Sequence, residues 1–190
     1  NIDGGAGTDT AVINYTASGS LKPSIENVEN VTITNTAAAT NDLVINAVDT
    51  AAGYNIITNL SSTGGLTLNN LNALPTKFVM NNSGDDMLLD FQADAVAGTA
   101  DNLLVDITGT GLATTLELTA DGAGDIETLT LNSVAQPNTI ATITTSDVDV
   151  ANLVITGDQN LTITTSCFFT WFFNSALVFN KVTIIFFINN

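Results

Sequence analysis

A short cassette recurs along most of this 190-residue chain and constrains its fold more than any other feature. In each copy, an acidic residue or an asparagine precedes a run of apolar residues that often alternate with threonine. The centres of these runs lie roughly 10 to 13 residues apart, which is the spacing of short strands joined by tight turns. The cassette therefore predicts a repetitive, extended β architecture. Its clearest copies are Glu29–Ile33, Asp42–Ile45, Asp101–Val105, Asp125–Leu131, Asp149–Ile155 and Asp158–Ile163.

The alternation inside the cassettes predicts how the strands pack. In one copy, Leu129 and Leu131 fall on one side of the strand and Thr130 falls on the other. In a parallel β-solenoid each strand stacks on its equivalent one turn away, which places the apolar side chains in a shared interior. We therefore predict an all-β fold, a parallel β-solenoid of the β-helix or β-roll kind. An antiparallel β-sandwich is the alternative, because it also has short strands at this spacing.

Asparagines follow several predicted strands, where a solenoid must bend sharply. A single asparagine there is typical of an ordinary turn, whereas stacked asparagine side chains can hydrogen-bond from one coil to the next. Their repetition favours such a ladder. The residues are Asn46, Asn69, Asn70, Asn81, Asn82 and Asn132.

The chain changes character near residue 165. Residues 1–165 have a uniform threonine-rich texture, and we predict only a loop or a single turn at the best helix candidate, Phe91–Ala97. This repetitive segment begins without an initiator methionine, so we expect it to be a fragment of a longer protein. Residues 166–190 are rich in phenylalanine and contain no acidic residue. They are interpreted as a terminal cap, a C-terminal export signal or mis-assigned sequence.

A membrane span in this tail is a weaker interpretation. The stretch 168–188 is long enough to cross a bilayer, but Asn174, Asn180 and Lys181 interrupt it. A lysine near the centre of a span costs roughly 2.5 to 3.5 kcal/mol. We therefore expect no membrane span.

The charge balance excludes several function classes. The chain has 3 basic and 19 acidic residues and a formal net charge of -16, so its surface should repel nucleic acid phosphates. It has no histidine and no arginine, so Ser-His-Asp and Cys-His catalytic groups are impossible within it. We expect it not to be an enzyme. A remote alternative is a polysaccharide-cleaving β-helix that uses paired aspartates, either Asp85 with Asp86 or Asp147 with Asp149.

Most of the acidic residues are aspartates in turns, where short carboxylates are suitable ligands for calcium. Aspartate also favours turns without any metal, because it hydrogen-bonds its own backbone. The sharpest motif is Gly4–Thr10, preceded by Asp3, which fits the G-G-x-G-x-D repeat of calcium-binding turns in parallel β-rolls. We predict that Asp3, Asp9 and backbone carbonyl oxygens of this loop bind calcium.

Two further turns are weaker candidates for calcium. Asp121 and Asp125 belong to a partial copy of the same motif. Asp85, Asp86 and Asp90 form a second acidic turn.

In these motifs the chain resembles calcium-dependent bacterial surface-layer (S-layer) proteins and RTX-type secreted proteins. The resemblance lies in Gly4–Asp9, Ile25–Ile33 and Gly124–Leu131. Over the rest of residues 1–165 it is a general similarity of residue usage and repeat pattern, not an alignment. It implies a segment of β-solenoid at the bacterial cell surface, exported by type I secretion, whose turns bind calcium and whose contacts with other copies build a lattice. The tandem array of motifs that is usual in these proteins is missing. The calcium ligands that the resemblance implies are Asp3, Gly5, Gly7 and Asp9, through side chain or carbonyl.

Together these observations predict a structural extracellular protein. We expect a calcium-stabilised segment of a self-assembling surface layer or matrix, with other copies of itself as partners and a cell-surface glycan as a candidate anchor. The alternative is an adhesin, a β module that binds glycans, and an exposed aromatic platform on a strand face would favour it.

Overall fold

The computed structural model describes residues 2–17, 19–21, 25–38, 42–46, 54–109, 114–166 and 182–184. The fold is a parallel β-solenoid of roughly 6 turns, with about 64% of residues in strands, which confirms the predicted fold class. The strands are β1 (Ile2–Asp3), β2 (Thr10–Tyr15), β3 (Gly19–Leu21), β4 (Ile25–Glu26), β5 (Asn30–Asn35), β6 (Leu43–Asn46), β7 (Ile56–Leu60), β8 (Leu66–Leu71), β9 (Lys77–Asn81), β10 (Met87–Phe91), β11 (Asn102–Thr108), β12 (Thr115–Ser133), β13 (Asn138–Gly157), β14 (Leu161–Ser166) and β15 (Val182–Ile184).

Two stacks of strands form the walls of the solenoid. The first face contains β2, β5, β7, β9, β11 and the C-terminal halves of β12 and β13, in that order. The second face contains β3, β6, β8, β10 and the N-terminal halves of β12 and β13. The long strands β12 and β13 run through both faces and join them. Every pairing among the described strands is parallel, so the antiparallel sandwich is excluded.

The core consists of apolar side chains stacked in columns along the solenoid. Because side chains alternate sides along a strand, each strand contributes every second residue to the interior. These columns bury most of the large apolar side chains, each of which contributes about 1.5 to 3 kcal/mol. One column of the first face contains Ala11, Val31, Ile57, Phe78, Val105 and Leu131, and one column of the second face contains Leu43, Leu66, Met87, Leu116 and Ile143.

Buried polar side chains satisfy the backbone at the corners between the faces. The Asn35 amide nitrogen donates to the Gly65 carbonyl oxygen at 2.8 Å, and the Ser83 hydroxyl donates to the Asn59 carbonyl oxygen at 3.2 Å. Such bonds are required because a buried backbone group without a partner is costly. Among the described residues, the buried polar ones are Asn35, Asn59, Ser62, Ser83, Thr114, Ser133 and Asn138.

A hydrogen bond of the predicted asparagine ladder joins Asn70 to Asn46. The Asn70 amide donates to the Asn46 side-chain oxygen in the preceding coil at 3.2 Å. Asn132 instead donates to Asp106 at 2.7 Å, and Asn82 donates to its neighbour Asn81 at 3.1 Å. The asparagines therefore bridge coils at some strand ends, with aspartate as well as asparagine as partners.

The segment predicted as a loop or single turn contains one turn of 3-10 helix, Ala93–Val96. In the described part of the chain, no helix is long and apolar enough to cross a membrane. In the tail, β15 pairs in parallel with β14 and thus continues the stack of strands. Residues 167–181 and 185–190 lie outside the described residues, and the interpretations of the tail as cap, export signal or mis-assigned sequence stay open.

Candidate calcium-binding turns

The first predicted calcium loop joins β1 to β2 and lies against the next coil. One carboxylate oxygen of Asp3 accepts hydrogen bonds from the Asn27 side-chain amide at 2.8 Å and from the Gly5 N–H at 3.0 Å. These two bonds, that of Asn27 first, lower the pKa of Asp3 below its usual value. Asp3 is exposed, and its hydrogen bond with Asn27 connects this loop to the next coil.

The glycines of this loop have conformations that other residues rarely adopt. Gly5 has φ +80° and Gly7 has φ +139°. A Cβ atom at Gly4 would lie 2.1 Å from the Asn27 carbonyl oxygen and 2.7 Å from the Asp9 Cβ. The Asp9 side chain therefore occupies space that is left free only because residue 4 is a glycine.

Asp9 lies at a junction between coils that contains two unsatisfied oxygen atoms. Its N–H donates to the Glu29 carboxylate at 2.7 Å, and its carbonyl oxygen accepts from the Asn30 N–H at 3.0 Å. Asp9 Oδ2 and Asn30 Oδ1 are both buried and have no hydrogen-bond partner among the described residues. Carboxylate and amide oxygens are typical calcium ligands, so the chemistry of Asp9, Glu29 and Asn30 fits a hard cation.

The contact between Asp9 and Glu29 has a second copy in the solenoid. The Asp101 N–H donates to the Glu127 carboxylate of the next coil at 2.6 Å. In both places the glutamate directly precedes the paired residues of a first-face strand, and it binds the backbone of the aspartate one coil earlier. Part of the acidic charge thus holds neighbouring coils together through hydrogen bonds.

The three aspartates of the acidic turn before β10 do not point to one common site, although they are close together in the sequence. Asp85 Oδ1 accepts from the Asp86 N–H at 2.8 Å, while Asp85 Oδ2 is buried and has no partner among the described residues. Asp86 accepts from the Thr115 N–H at 2.9 Å, and Asp90 accepts from the Thr119 hydroxyl at 2.7 Å. Asp86 and Asp90 thus bind β12 separately, and Asp85 is the member with a free oxygen.

Asp121 and Asp125 lie in the middle of β12, and both are exposed. Asp125 is in register with Asp149 of β13, so two carboxylates are opposite each other on neighbouring parallel strands. Strands in a sheet are about 4.8 Å apart, and like charges directly opposite are destabilising. A cation between Asp125 and Asp149 would remove that repulsion.

Sequence reasoning missed Glu29, Asn30 and Asp149 as neighbours of the predicted residues. A signal for Asp149 was present, because alignment of the cassettes that begin at Asp125 and Asp149 superimposes the two aspartates. Across the residues that the structure describes, no group of three or more histidine, cysteine, aspartate or glutamate side chains is arranged to hold a metal ion. Calcium bound in these turns would therefore depend on amide and backbone oxygens as well as carboxylates.

A groove on the second face contains further acidic residues. Asp42, Asp86 and Glu117 line it, together with Gly65 and Thr115. Gly65 allows this arrangement, because a Cβ atom there would lie 2.3 Å from an Asp42 carboxylate oxygen. Glu117 is therefore an acidic side chain on the second face itself, and Asp42 and Asp86 lie in the turns before its strands β6 and β10.

Comparison with known proteins finds no matching family model, no matching curated protein and no matching solved structure.

Proposed function

We propose that this chain is a structural segment of an extracellular, self-assembling surface layer or matrix, and that calcium stabilises its acidic turns. The observation that carries the proposal is the junction at Asp9, where Asp9 Oδ2 and Asn30 Oδ1 are buried without a hydrogen-bond partner among the described residues. Burying an oxygen acceptor without a partner costs free energy, and a bound cation offsets that cost.

The charge of the whole chain supports the same proposal. At -16 the solenoid has strong self-repulsion, both within a molecule and between copies. Within the described residues the single ion pair is that of Lys77 with Asp106. Calcium would neutralise carboxylates at the turns, and this would favour both the folded state and the approach of a second molecule.

The positions of the four aromatic residues among the described residues favour a structural role over an adhesin. Phe78, Phe91 and Tyr54 are buried in the core, and Tyr15 is half-buried and packs against it. The described strand faces therefore present no aromatic platform of the kind on which sugar rings stack.

The test is thermal unfolding with light scattering on the full 190-residue chain, in calcium and in chelator at matched ionic strength. A ligand at 100 times its dissociation constant stabilises the folded state by about 2.7 kcal/mol, which should raise the melting temperature by several degrees. Reversible assembly should accompany this rise. Magnesium at the same concentration is the control for ionic strength and divalent charge.

Two variants assign the effect to the Asp9 junction. Asp9→Asn should lose much of the calcium-dependent rise, because it removes one charge from the junction. Asp158→Asn removes the same charge from an exposed turn and should keep the rise. A wild-type chain that shows neither a calcium-specific rise nor assembly would contradict the proposed function.

A further inference from the structure

The outward side of the first face differs in charge from the rest of the molecule. Its outward side chains include two charged groups, Lys77 and Asp106, which form an ion pair at 2.9 Å. This surface, called the neutral surface below, has no net charge on a chain of net charge -16. Its outward residues are Thr10, Val12, Asn14, Asn30, Thr32, Thr34, Ile56, Thr58, Leu60, Lys77, Val79, Asn81, Asn102, Leu104, Asp106, Thr108, Thr128, Thr130, Asn132, Asn152, Val154 and Thr156.

Apart from Asp106, the carboxylates of the described chain lie outside this surface. Asp9, Glu29 and Asp101 precede its strands at the corner. Asp42, Asp85, Asp86 and Asp158 lie in other turns, and Asp121, Asp125, Asp147 and Asp149 lie in the middle of β12 and β13. On the second face, Asp90 and Glu117 occupy outward positions. Two copies that approach through any of these parts bring like charges together, whereas contact between two neutral surfaces does not.

The neutral surface is large enough for a contact between two copies of the chain. Seven parallel strands build it. At about 4.8 Å between strands and about 3.3 Å per residue, it measures about 29 by 20 Å. These dimensions give about 580 Å², which is near the lower end of the roughly 600 to 1,000 Å² that each partner buries in a standard interface.

The residue composition of the neutral surface is also closer to that of a protein interface than to that of a solvent-exposed sheet face. Val12 is 64% exposed and Val154 is 39% exposed, and they are two of the three large apolar residues that are exposed in the described chain. Half-buried Val79 and Leu104 lie on strands between them, among threonines and asparagines. Apolar residues mixed with uncharged hydrogen-bonding groups are typical of the centre of protein interfaces.

We propose that the neutral surface binds the neutral surface of a second copy of this chain, an inference that rests on the proposed self-assembling function. A second copy fits because it is as acidic as the first and can approach closely only where neither carries net charge. A basic partner would instead be attracted to the acidic turns. A glycan would be expected to stack on aromatic rings, and the neutral surface has none.

The decisive pair of variants is Val79→Glu and Leu88→Glu. Val79 is on β9, the central strand of the neutral surface, and Leu88 is the matched control on β10 of the second face. Both side chains are apolar, half-buried and outward. Sedimentation velocity of the full chain in calcium, at about 0.15 M salt where the screening length is about 8 Å, gives the concentration of half-association.

We expect Val79→Glu to raise the concentration of half-association at least tenfold, and Leu88→Glu to change it less than twofold. The melting temperatures of both variants are measured to show that they are folded. If both substitutions weaken association equally, or if only Leu88→Glu does, the neutral surface is not the interface. If the wild type does not associate at all, the proposed function fails together with this inference.

Two single-cysteine variants test the same interface without introducing a charge. Val79→Cys and Leu88→Cys are made in a Cys167→Ser chain and oxidised mildly at a concentration where the parent associates. A disulfide-linked dimer should form with Val79→Cys and not with Leu88→Cys. The inference is overturned if the wild-type chain stays monomeric and adsorbs to an insoluble polysaccharide, and if Val79→Glu abolishes this adsorption. The partner of the neutral surface would then be a glycan and not a second copy.

Discussion

The two faces of the solenoid both have a buried interior, but the two interiors differ in polarity. On the second face, an interior column from Ile45 through Leu68 and Leu89 to Leu118 is apolar throughout. The equivalent column on the first face includes Asn59 and Ser133, which are nonetheless buried. Both polar residues lie at strand ends, where corner hydroxyl and amide groups supply partners. Register therefore decides which side chains are interior, and residue type decides only whether they need a partner.

The largest expected loss of stability comes from truncating a buried side chain in the interior of either face. Phe78 is fully buried on the first face and Leu118 on the second. Phe78→Ala should lower the free energy of unfolding by about 3 to 5 kcal/mol and Leu118→Ala by about 2 to 5 kcal/mol, because each leaves a cavity in a stacked column. Chemical denaturation measures both. Val79→Ala, at the neighbouring outward position, should change stability by about 0.5 kcal/mol or less, and a comparable loss there would mean that the faces are not sided as described.

A smaller loss should follow from removing a corner amide. The Asn138 side-chain nitrogen donates to the carbonyl oxygens of Ile107 and Gln136 at 2.9 and 2.7 Å, and its oxygen accepts from the Gly109 N–H at 2.5 Å. Asn138→Ala should cost about 1 to 3 kcal/mol, because it leaves buried backbone groups without partners. Urea unfolding gives the value.

The control for this prediction is Asn152→Ala, which removes an exposed asparagine that donates to the Glu127 carbonyl oxygen at 2.8 Å. It should cost about 0.5 kcal/mol or less. A cost at Asn138 as small as that at Asn152 would mean that this corner amide is dispensable.

The sequence predicted which side chains of a strand are buried better than it predicted which residues the turns contact in the next coil. Leu129 and Leu131 are buried as their alternation indicates, since period two is intrinsic to a strand. The burial of Asn59 was not predicted, because an asparagine by itself indicates a turn or a surface. Coil length also varies: Asn30 pairs with Thr10, 20 residues before it, and with Ile56, 26 residues after it. Without a constant period, neighbours across coils, such as Asn30 beside Asp9, could not be read from spacing.

Alkaline pH should destabilise the molecule next to β7 of the first face. Burial raises the pKa of Tyr54, which lies two residues before β7, from 10.0 to about 12. Between these values the unfolded chain loses the tyrosine proton while the folded chain retains it, so stability is complete below pH 10 and falls as pH rises towards 12. Urea midpoints at about pH 9 and pH 11 measure this loss.

Tyr54→Phe should reduce this alkaline loss, because phenylalanine has no proton to release. Tyr15→Phe, at a half-buried position on β2, is the matched control for removal of a tyrosine hydroxyl. If the wild type and Tyr54→Phe lose the same stability between the two pH values, the tyrosine at position 54 does not limit alkaline stability.

The smallest change in stability should come from the ion pair of the neutral surface. Lys77 and Asp106 have exposed fractions of 33% and 17%, and partly solvated pairs contribute about 0 to 1 kcal/mol. Lys77→Met should therefore hardly move the melting temperature, yet it leaves Asp106 as an uncompensated charge on the first face. Like charges brought together at an interface oppose association, so we expect sedimentation to show weaker self-association.

The double variant Lys77→Met with Asp106→Asn separates charge from contact. It restores zero net charge without restoring the lysine, and the amide oxygen at position 106 can still accept the hydrogen bond that Asn132 now donates at 2.7 Å. If neutrality is what distinguishes the first face from the second, association should recover in the double variant. Recovery would mean that the surface acts by its lack of charge, whereas a loss as large as in Lys77→Met alone would mean that the lysine side chain itself makes the contact.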